Sequence, residues 1–240
     1  MPPRRSMTAG AGRGGDFLPP PPGRIIEVSG GARIWVRAGS ADELIIQENL
    51  VRPYAQKHLA FNPGDKWLDV GAFIGTFAIF CRLRGCDVAS VEADPDNAVA
   101  YRYNMALNDV GDFALLEAAV LASVPPDGKV DLHVAPYYPG KLRAGGATLR
   151  GATNLAMNTI HNRWKRKHVV RRVEARAFSD VVGWATHTLG SEGCWGLKID
   201  IEGAEVAILE ACDLSLFDKI FFEYHYQAEG GPERAARVFE

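Results

Sequence analysis

The pattern of apolar and polar positions changes at Lys66, where short apolar strands begin to alternate with segments of helical periodicity. Alternation of this kind is typical of a doubly wound, mostly parallel sheet with helices on both faces. The fold class is therefore predicted to be α/β. The predicted strands are residues 67–71, 88–92, 113–120, 195–201 and 220–224, and the predicted helices are residues 76–83, 95–108, 204–212 and a segment that starts at Ser179.

The chain before this alternation has a different character. Residues 1–23 are dominated by proline, glycine and arginine and have too few apolar positions to pack, so we predict a disordered leader. Ile25–Val28 and Arg33–Arg37 then read as a small hairpin around a Ser-Gly-Gly turn. Asp42 is expected to cap a helix that runs to about Val51.

Residues 121–178 interrupt the alternation with proline, glycine and basic residues. Within them, residues 130–134 and 169–175 are predicted to be antiparallel strands, which makes this segment a hairpin insertion. Residues 24–240 are thus predicted to form one domain, with the N-terminal hairpin and helices in residues 24–62.

Composition is that of an ordinary globular protein, with 47% hydrophobic and 23% charged residues and a net charge of -2. This charge argues against general binding to polyanions. The four cysteines lack the spacing of a metal site and follow no secretory signal, so reduced thiols are expected. Apolar runs are far shorter than a membrane span. We therefore expect a soluble, cytoplasmic protein without a membrane partner.

The densest charge lies in Lys198-Ile-Asp-Ile-Glu-Gly-Ala-Glu205, directly behind an apolar run. Lys198, Asp200 and Glu202 alternate with apolar residues, as in a strand, and only Glu202 and Glu205 have helical spacing. The segment predicts a strand that ends at Asp200 or Glu202 and turns through Gly203 into a helix. Ligands of open α/β sheets bind outside the carboxyl ends of strands. A surface salt-bridge cluster is the alternative, but it leaves Lys198 and Asp200 unexplained.

A second candidate site element is Leu68-Asp-Val-Gly-Ala-Phe-Ile-Gly75, where a predicted strand ends in two glycines before a helix. Glycine lets a ligand approach the backbone, and the free N–H groups of a helix start bind carboxylates or phosphates. A tight turn without a ligand is the alternative interpretation. Phe73 holds the place of the middle glycine in the dinucleotide fingerprint, which disfavours an NAD-dependent oxidoreductase.

A third element is Glu92, which ends the next predicted strand about 20 residues beyond the glycine loop, where a ribose-binding acid is found in nucleotide-binding sheets. Its carboxylate can accept hydrogen bonds from both ribose hydroxyls. Asp94, followed by Pro95, is a typical helix cap. The two loops in this order indicate a nucleoside ligand.

With these elements, the chain resembles the FkbM-type family of S-adenosylmethionine-dependent methyltransferases. The residues that carry the resemblance are Leu68-Asp-Val-Gly-Ala-Phe-Ile-Gly75, Val91-Glu-Ala-Asp-Pro-Asp-Asn97 with Asn104 and Asn108, and Leu197-Lys-Ile-Asp-Ile-Glu-Gly-Ala-Glu205. The similarity covers about residues 33–226, and the K-x-D-x-E-G-x-E element is its most specific part.

The resemblance implies an O-methyltransferase with a class I, Rossmann-like fold and S-adenosylmethionine as cofactor. The methionine end of the cofactor would lie near Asp69, Gly71 and Gly75, its ribose on Glu92 and its adenine near Glu117 to Ala119. The full set of implied cofactor contacts is Asp69, Gly71, Ala72, Phe73, Gly75, Glu92, Ala93, Glu117 and Ala118. Lys198, Asp200 and Glu202 would face the methyl acceptor.

Two features depart from the family pattern. Phe73 stands where the family commonly has asparagine, which removes one polar contact to the cofactor. A class I fold normally closes with an antiparallel strand pair after the strand at residues 220–224, and little chain follows that strand, so a truncated C-terminal strand pair is expected.

The general base has two candidates, His225 and Asp200, which we weigh equally. Histidine has the pKa best suited to this role near neutrality, and Asp200 belongs to the charged segment. A divalent ion on Asp200, Glu202 and Glu223 is a weaker alternative, because Lys198 can neutralise the same carboxylates. No metal is therefore expected.

The basic run at residues 163–172 carries one tryptophan. We favour a charge-blunted edge strand there over a nucleic-acid site. Tyr137, Tyr138 and Trp164 are candidates for a stacking wall around a sugar or polyketide. The expected function is O-methylation of a small molecule or glycan. An RNA methyltransferase and a catalytically silent cofactor-binding domain are the alternatives.

Overall fold

The computed structural model of the chain describes residues 22–28, 30–38, 40, 42–47, 50, 58–134, 169–224 and 233–234. The strands are β1 (Gly23–Glu27), β2 (Arg33–Arg37), β3 (Lys66–Val70), β4 (Asp87–Glu92), β5 (Ala114–Glu117), β6 (Ala119–Leu121), β7 (Lys129–Val134), β8 (Val169–Ala177), β9 (Trp195–Ile199) and β10 (Lys219–Phe222). The helices are α1 (Asp42–Ile46), α2 (Thr76–Arg82), α3 (Pro95–Leu107), α4 (Phe178–Leu189) and α5 (Glu205–Ala211).

A five-stranded sheet in the order β10-β9-β3-β4-β5 forms the centre of the fold. All of its neighbouring strands run parallel. The chain builds β4 and β5 on one side of β3 and later β9 and β10 on the other side, so the strand order reverses at β3. The prediction of an α/β fold with a mostly parallel sheet is confirmed.

Residues alternate between the two faces of this sheet, as the strand period requires. Trp67 and Val88 pack in the core that contains α2, α3 and the β1–β2 hairpin. Leu68 and Ala89, one position further along, pack in the core that contains α4 and α5. Both faces of the sheet are therefore covered by helices.

The predicted strand at residues 113–120 is wrong as a single element, because the chain changes sheets within it. β5 pairs with β4, whereas β6 pairs with β8 in a separate three-stranded sheet with β7. Ala118 lies between them and its N–H donates to the carbonyl of Glu92 at 3.1 Å. This break brings Ala118 to the carboxyl end of β4.

The N-terminal hairpin is confirmed, and α3 holds it through two asparagines one helical turn apart. Asn104 Oδ1 accepts the N–H of Trp35 at 2.7 Å, and Asn108 Oδ1 accepts the N–H of Arg33 at 2.8 Å. Asn108 Nδ2 donates to the carbonyl of Arg33 at 2.7 Å. Side-chain amides thus replace a neighbouring strand along the edge of β2.

Asp42 was expected to cap a helix, and the structure gives it another partner. Its carboxylate receives hydrogen bonds from Nε and Nη2 of Arg37 at 3.0 and 2.9 Å, and both side chains are buried. The helix α1 ends at Ile46, and most of the further residues to Val51 lie outside the described residues.

The two antiparallel strands predicted around the insertion are confirmed as β7 and β8. The residues between them, with Tyr137, Tyr138 and Trp164, lie outside the described residues. None of the four cysteines forms a disulfide. In the described parts of the chain, every helix is too short or too polar to span a membrane.

Candidate functional site

A cleft opens at the carboxyl ends of β3, β4 and β9, where the strand order reverses. Its volume, including the part open to solvent, is about 810 Å³. The lining residues are Val70, Gly71, Ala72, Phe73, Thr76, Phe77, Val91, Glu92, Ala93, Asn97, Ala118, Ala119, Val120, Leu132, Lys198, Asp200, Ile201, Glu202 and Ala204. This is the place where ligands bind in open α/β sheets.

Gly71 begins the loop after β3, where the backbone passes very close to the end of β9. Its φ is +86°, in the left-handed region. A side chain at this position would overlap the backbone carbonyl of Asp200. The N–H groups of Gly71 and Ala72 donate to the carbonyl of Val91 at 2.9 and 3.0 Å. Only glycine therefore fits between the ends of β3 and β9.

Gly71→Ala is expected to destabilise the protein more than Gly64→Ala does. Gly64 has nearly the same φ, +87°, but its added methyl group would meet nothing within 4 Å. The left-handed backbone alone should cost about 1–2 kcal/mol in each variant. Overlap at Gly71 should add about 1–3 kcal/mol. Urea denaturation measures both values, and equal losses would contradict the close approach.

Glu92 ends β4 with its carboxylate at the floor of the cleft, 7% exposed. Oε2 accepts the N–H of Phe73 at 2.7 Å, and Oε1 accepts the N–H of Asp94 at 2.8 Å and Nδ2 of Asn97 at 3.3 Å. Burial raises the pKa of Glu92 to about 7, against the opposing pull of these donors. A carboxylate has about four acceptor positions, so one remains on Oε2 after these bonds from the described residues.

Asn97 connects Glu92 to the buried pair of Arg37 and Asp42. Arg37 Nη1 donates to Oδ1 of Asn97 at 2.7 Å, which turns the amide nitrogen of Asn97 toward Glu92. The guanidinium also lies over the ring of Phe73, 5.1 Å from the ring centroid. The N-terminal hairpin thereby fixes both the carboxylate and the loop beside it.

Lys198 and Asp69 form a buried ion pair beneath the loop. They are register partners on adjacent strands, and Nζ of Lys198 lies 3.1 Å from Oδ1 of Asp69. The ammonium also donates to the carbonyl of Gly71 at 2.8 Å and lies 3.9 Å from Oδ2 of Asp200. Burial lowers the pKa of Lys198, but the carboxylates of Asp69 and Asp200 outweigh it and hold the pKa above its usual value. Lys198 is therefore a charged group that braces the glycine loop.

The segment after β9 is a tight loop held by Glu205. β9 ends at Ile199, earlier than the predicted end at Asp200 or Glu202. Glu202 has φ 59°, and the Glu205 carboxylate accepts the N–H groups of Ile201 and Gly203 at 2.9 and 3.1 Å. These N–H groups are thus withdrawn from the sheet. The side chain of Asp200 is left 33% exposed in the cleft.

Most of the predicted site residues come together here. Those that line the cleft are Gly71, Ala72, Phe73, Glu92, Ala93, Ala118, Lys198, Asp200 and Glu202. Asp69 is fully buried below it. Gly75 contacts α3, since a methyl group there would lie 2.7 Å from Met105. His225 lies outside the described residues.

Glu117 lies apart from this group. It was expected beside the adenine of the cofactor, but it does not line the cleft. Its carboxylate is paired with Arg102 of α3 at the protein surface. The chain changes sheets directly after Glu117, which leaves Ala118 and Ala119 at the cleft.

Sequence reasoning missed several residues that shape the site. Asn97 was quoted only as part of the resemblance, and the Arg37–Asp42 pair carried no visible link to the site. Glu205 had a usable signal, because an acidic residue in the first turn of a helix often reaches back to preceding N–H groups.

In the described residues, no three His, Cys, Asp or Glu side chains form a group that could hold a metal ion.

A comparison with models of protein families gave a match. A model described as the methyltransferase FkbM domain matches residues 69–239, more than half of the chain. The matched range includes the glycine loop, Glu92 and the segment after β9. No curated protein matches the chain.

Proposed function

Because the chain belongs to the FkbM family of methyltransferases, we propose that it is an S-adenosylmethionine-dependent O-methyltransferase acting on a hydroxyl of a small molecule or glycan. The observation that carries the proposal is the buried carboxylate of Glu92, which faces the cleft at the strand end next to a glycine loop. The sheet order, with its reversal at β3, is that of doubly wound nucleotide-binding folds.

The residues of the cleft fit the proposed cofactor. Glu92 keeps one acceptor position on Oε2 for a ribose hydroxyl, as judged from its bonds to the described residues. Ala93 and Ala118 offer a small apolar wall beside it, suited to a flat base. The loop from Gly71 to Phe73 would hold the methionine end. Bound S-adenosylmethionine would supply an electrophilic methyl group on a sulfonium.

Phe73 takes a different part from the asparagine common in the family. Its N–H is already bound to Glu92, and its ring packs under the guanidinium of Arg37. We propose that the loop loses one side-chain contact to the cofactor but keeps its shape through this stacking. The result would be a cofactor site held mainly by backbone groups and Glu92.

On the acceptor side, we assign proton removal to Asp200. Methyl transfer to a hydroxyl oxygen forms the O–CH₃ bond, breaks the S–CH₃ bond and releases the hydroxyl proton, which the Asp200 carboxylate would accept. Its partly exposed position in the cleft supports this role. His225 stays the second candidate for the base, and Glu202 is proposed to contact the acceptor.

An RNA acceptor has less support. In the described part of the basic run, Arg171 and Arg172 each form ion pairs with two aspartates. Their charge is therefore largely neutralised within the protein. Replacement of Lys165, Arg166 and Lys167 followed by an RNA-binding assay tests the rest of the run.

S-adenosylhomocysteine is expected to raise the thermal stability of the protein, whereas NAD should not. A ligand that binds only the folded state stabilises it by about 2.7 kcal/mol at 100 times its Kd. Differential scanning fluorimetry with each ligand and without ligand gives the comparison. A rise with NAD alone would support an oxidoreductase, and the absence of a rise with S-adenosylhomocysteine would refute the proposed cofactor.

A further inference from the structure

The β7–β8 hairpin forms one wall of the cleft through its apolar face. Leu132 and Val173 are buried there together with Ala119, and Ala93 packs against the same cluster. Leu132, Ala93 and Ala119 also line the cleft. The hairpin therefore lies against the turn that directly follows Glu92.

Arg171 ties this hairpin to the start of α3. It is the register partner of Leu132 across the antiparallel ladder, so both side chains leave the same face. Its Nη1 lies 2.6 Å from Oδ1 of Asp94, and its Nη2 lies 2.5 Å from Oδ2 of Asp96. A planar guanidinium that bridges two carboxylates fixes direction as well as distance.

Asp94 connects Arg171 to Glu92 in the site. Its side chain is only 1% exposed, and its backbone N–H donates to Oε1 of Glu92 at 2.8 Å. Burial raises the pKa of the Asp94 carboxyl, and the charge of Arg171 is the strongest influence against that rise. Arg171 thus compensates the buried charge of Asp94. The backbone N–H of Asp94 is in turn bonded to Glu92, the residue proposed to bind ribose.

We propose that Arg171 is a positioning residue for ribose recognition: by bridging Asp94 and Asp96 it holds the turn that orients Glu92 and keeps Leu132 in the cleft wall. This inference rests on the proposed cofactor site and adds to it a residue from the insertion, outside the βα units that form the rest of the site. It also assigns a function to the end of the basic run.

The neighbouring Arg172 provides a matched control. It lies on the same strand but points to the opposite face, where it pairs with Asp127 and Asp131. These partners are more than half exposed, and such surface pairs contribute little to stability. Arg171→Gln and Arg172→Gln therefore remove the same charge and the same kind of double ion pair, but only the first should affect the cleft.

The test is isothermal titration calorimetry of both variants and the wild type with S-adenosylhomocysteine and with an analogue of it that lacks both ribose hydroxyls. Arg171→Gln is expected to lower the affinity for S-adenosylhomocysteine about tenfold. This is within the range of effects of residues that influence a site through other residues. The affinity for the analogue should fall much less, because the analogue has no ribose hydroxyl for Glu92 to bind. Arg172→Gln should bind both ligands as the wild type does.

Each outcome decides a separate point. Equal weakening of both ligands by Arg171→Gln would reduce Arg171 to a general structural role, and wild-type affinity in that variant would also overturn the inference. Failure of the wild type to bind S-adenosylhomocysteine would instead refute the proposed function. Arg171→Lys keeps the charge if the glutamine variant does not fold, and it should lose part of the ribose discrimination because an ammonium lacks the planar two-pronged geometry.

Discussion

Asp200→Asn is expected to lower kcat about 10²- to 10⁴-fold, the usual contribution of a general base, while S-adenosylhomocysteine binds with wild-type affinity. Asparagine has the size of aspartate but cannot take a proton at neutral pH. Asp200 is partly exposed in the cleft, whereas Glu92 is buried and held by three donors. The two functions should therefore separate in this variant.

The measurement is the release of S-adenosylhomocysteine with a hydroxyl acceptor that the wild type methylates, together with calorimetric binding of S-adenosylhomocysteine alone. Asp180→Asn in the first turn of α4 is a suitable control, because it makes the same change on an exposed residue outside the cleft. Loss of binding and turnover together would show that Asp200 also shapes the cofactor site. Full turnover would leave His225 as the base.

Glu92→Gln is expected to weaken the binding of S-adenosylhomocysteine by about 1.5–3 kcal/mol, or roughly 10- to 150-fold. This is the contribution of a hydrogen bond to a charged group. The amide also turns an NH₂ group toward one of the N–H donors of Phe73 and Asp94, so the loop loses a bond. Glu117→Gln is the control, because Glu117 is the register partner of Glu92 but binds Arg102 at the surface. Wild-type affinity in Glu92→Gln would remove this residue from the cofactor site.

The raised pKa of Glu92 adds a pH signature to the same prediction. Its folded-state pKa of about 7 lies above the ordinary 4.5, so the unfolded chain ionises first and Glu92 reduces stability as pH rises from 4.5 to 7. Ligand affinity should follow the opposite trend, because an ionised carboxylate is the better acceptor for a ribose hydroxyl. Affinity should therefore rise through pH 7.

Calorimetry in buffers of different ionisation enthalpy measures the linked proton. With a pKa of about 7, wild-type binding at pH 7 should release about half a proton per ligand. Glu92→Gln should release none, and its unligated melting temperature shows whether the variant folds. Proton release that persists in Glu92→Gln would assign the titration to another group.

Local patterns predicted the elements around the site well, because the periods of strands and helices depend on residues that are close in sequence. The two glycines of the loop show where this reasoning stops. Gly71 and Gly75 look alike in sequence, yet Gly71 meets the carbonyl of Asp200 and Gly75 meets Met105 of α3. Which neighbour a glycine admits depends on the packing of distant segments.

The charged segment from Lys198 to Glu205 shows the same limit of reasoning from the sequence. Lys198, Asp200 and Glu202 stand at every second position, and the family resemblance implied that all three face the acceptor. In the fold, both side chains of Lys198 and Asp200 line the cleft, but Lys198 is buried and pairs with Asp69, while Asp200 is partly exposed. β9 ends at Ile199, so Lys198 lies within the sheet and Asp200 lies in the loop that follows it.

The sequence by itself determined the α/β class, the family and the strand ends that carry the site, since these depend on periodicity and on motifs of adjacent residues. Only the tertiary structure decided how Glu92 is held, through Asn97 to Arg37 and through Asp94 to Arg171. The physical reason is that hydrogen bonds and charge compensation act over a few ångströms in space. The partners come from two hairpins far apart in the chain, and no local pattern records that they meet.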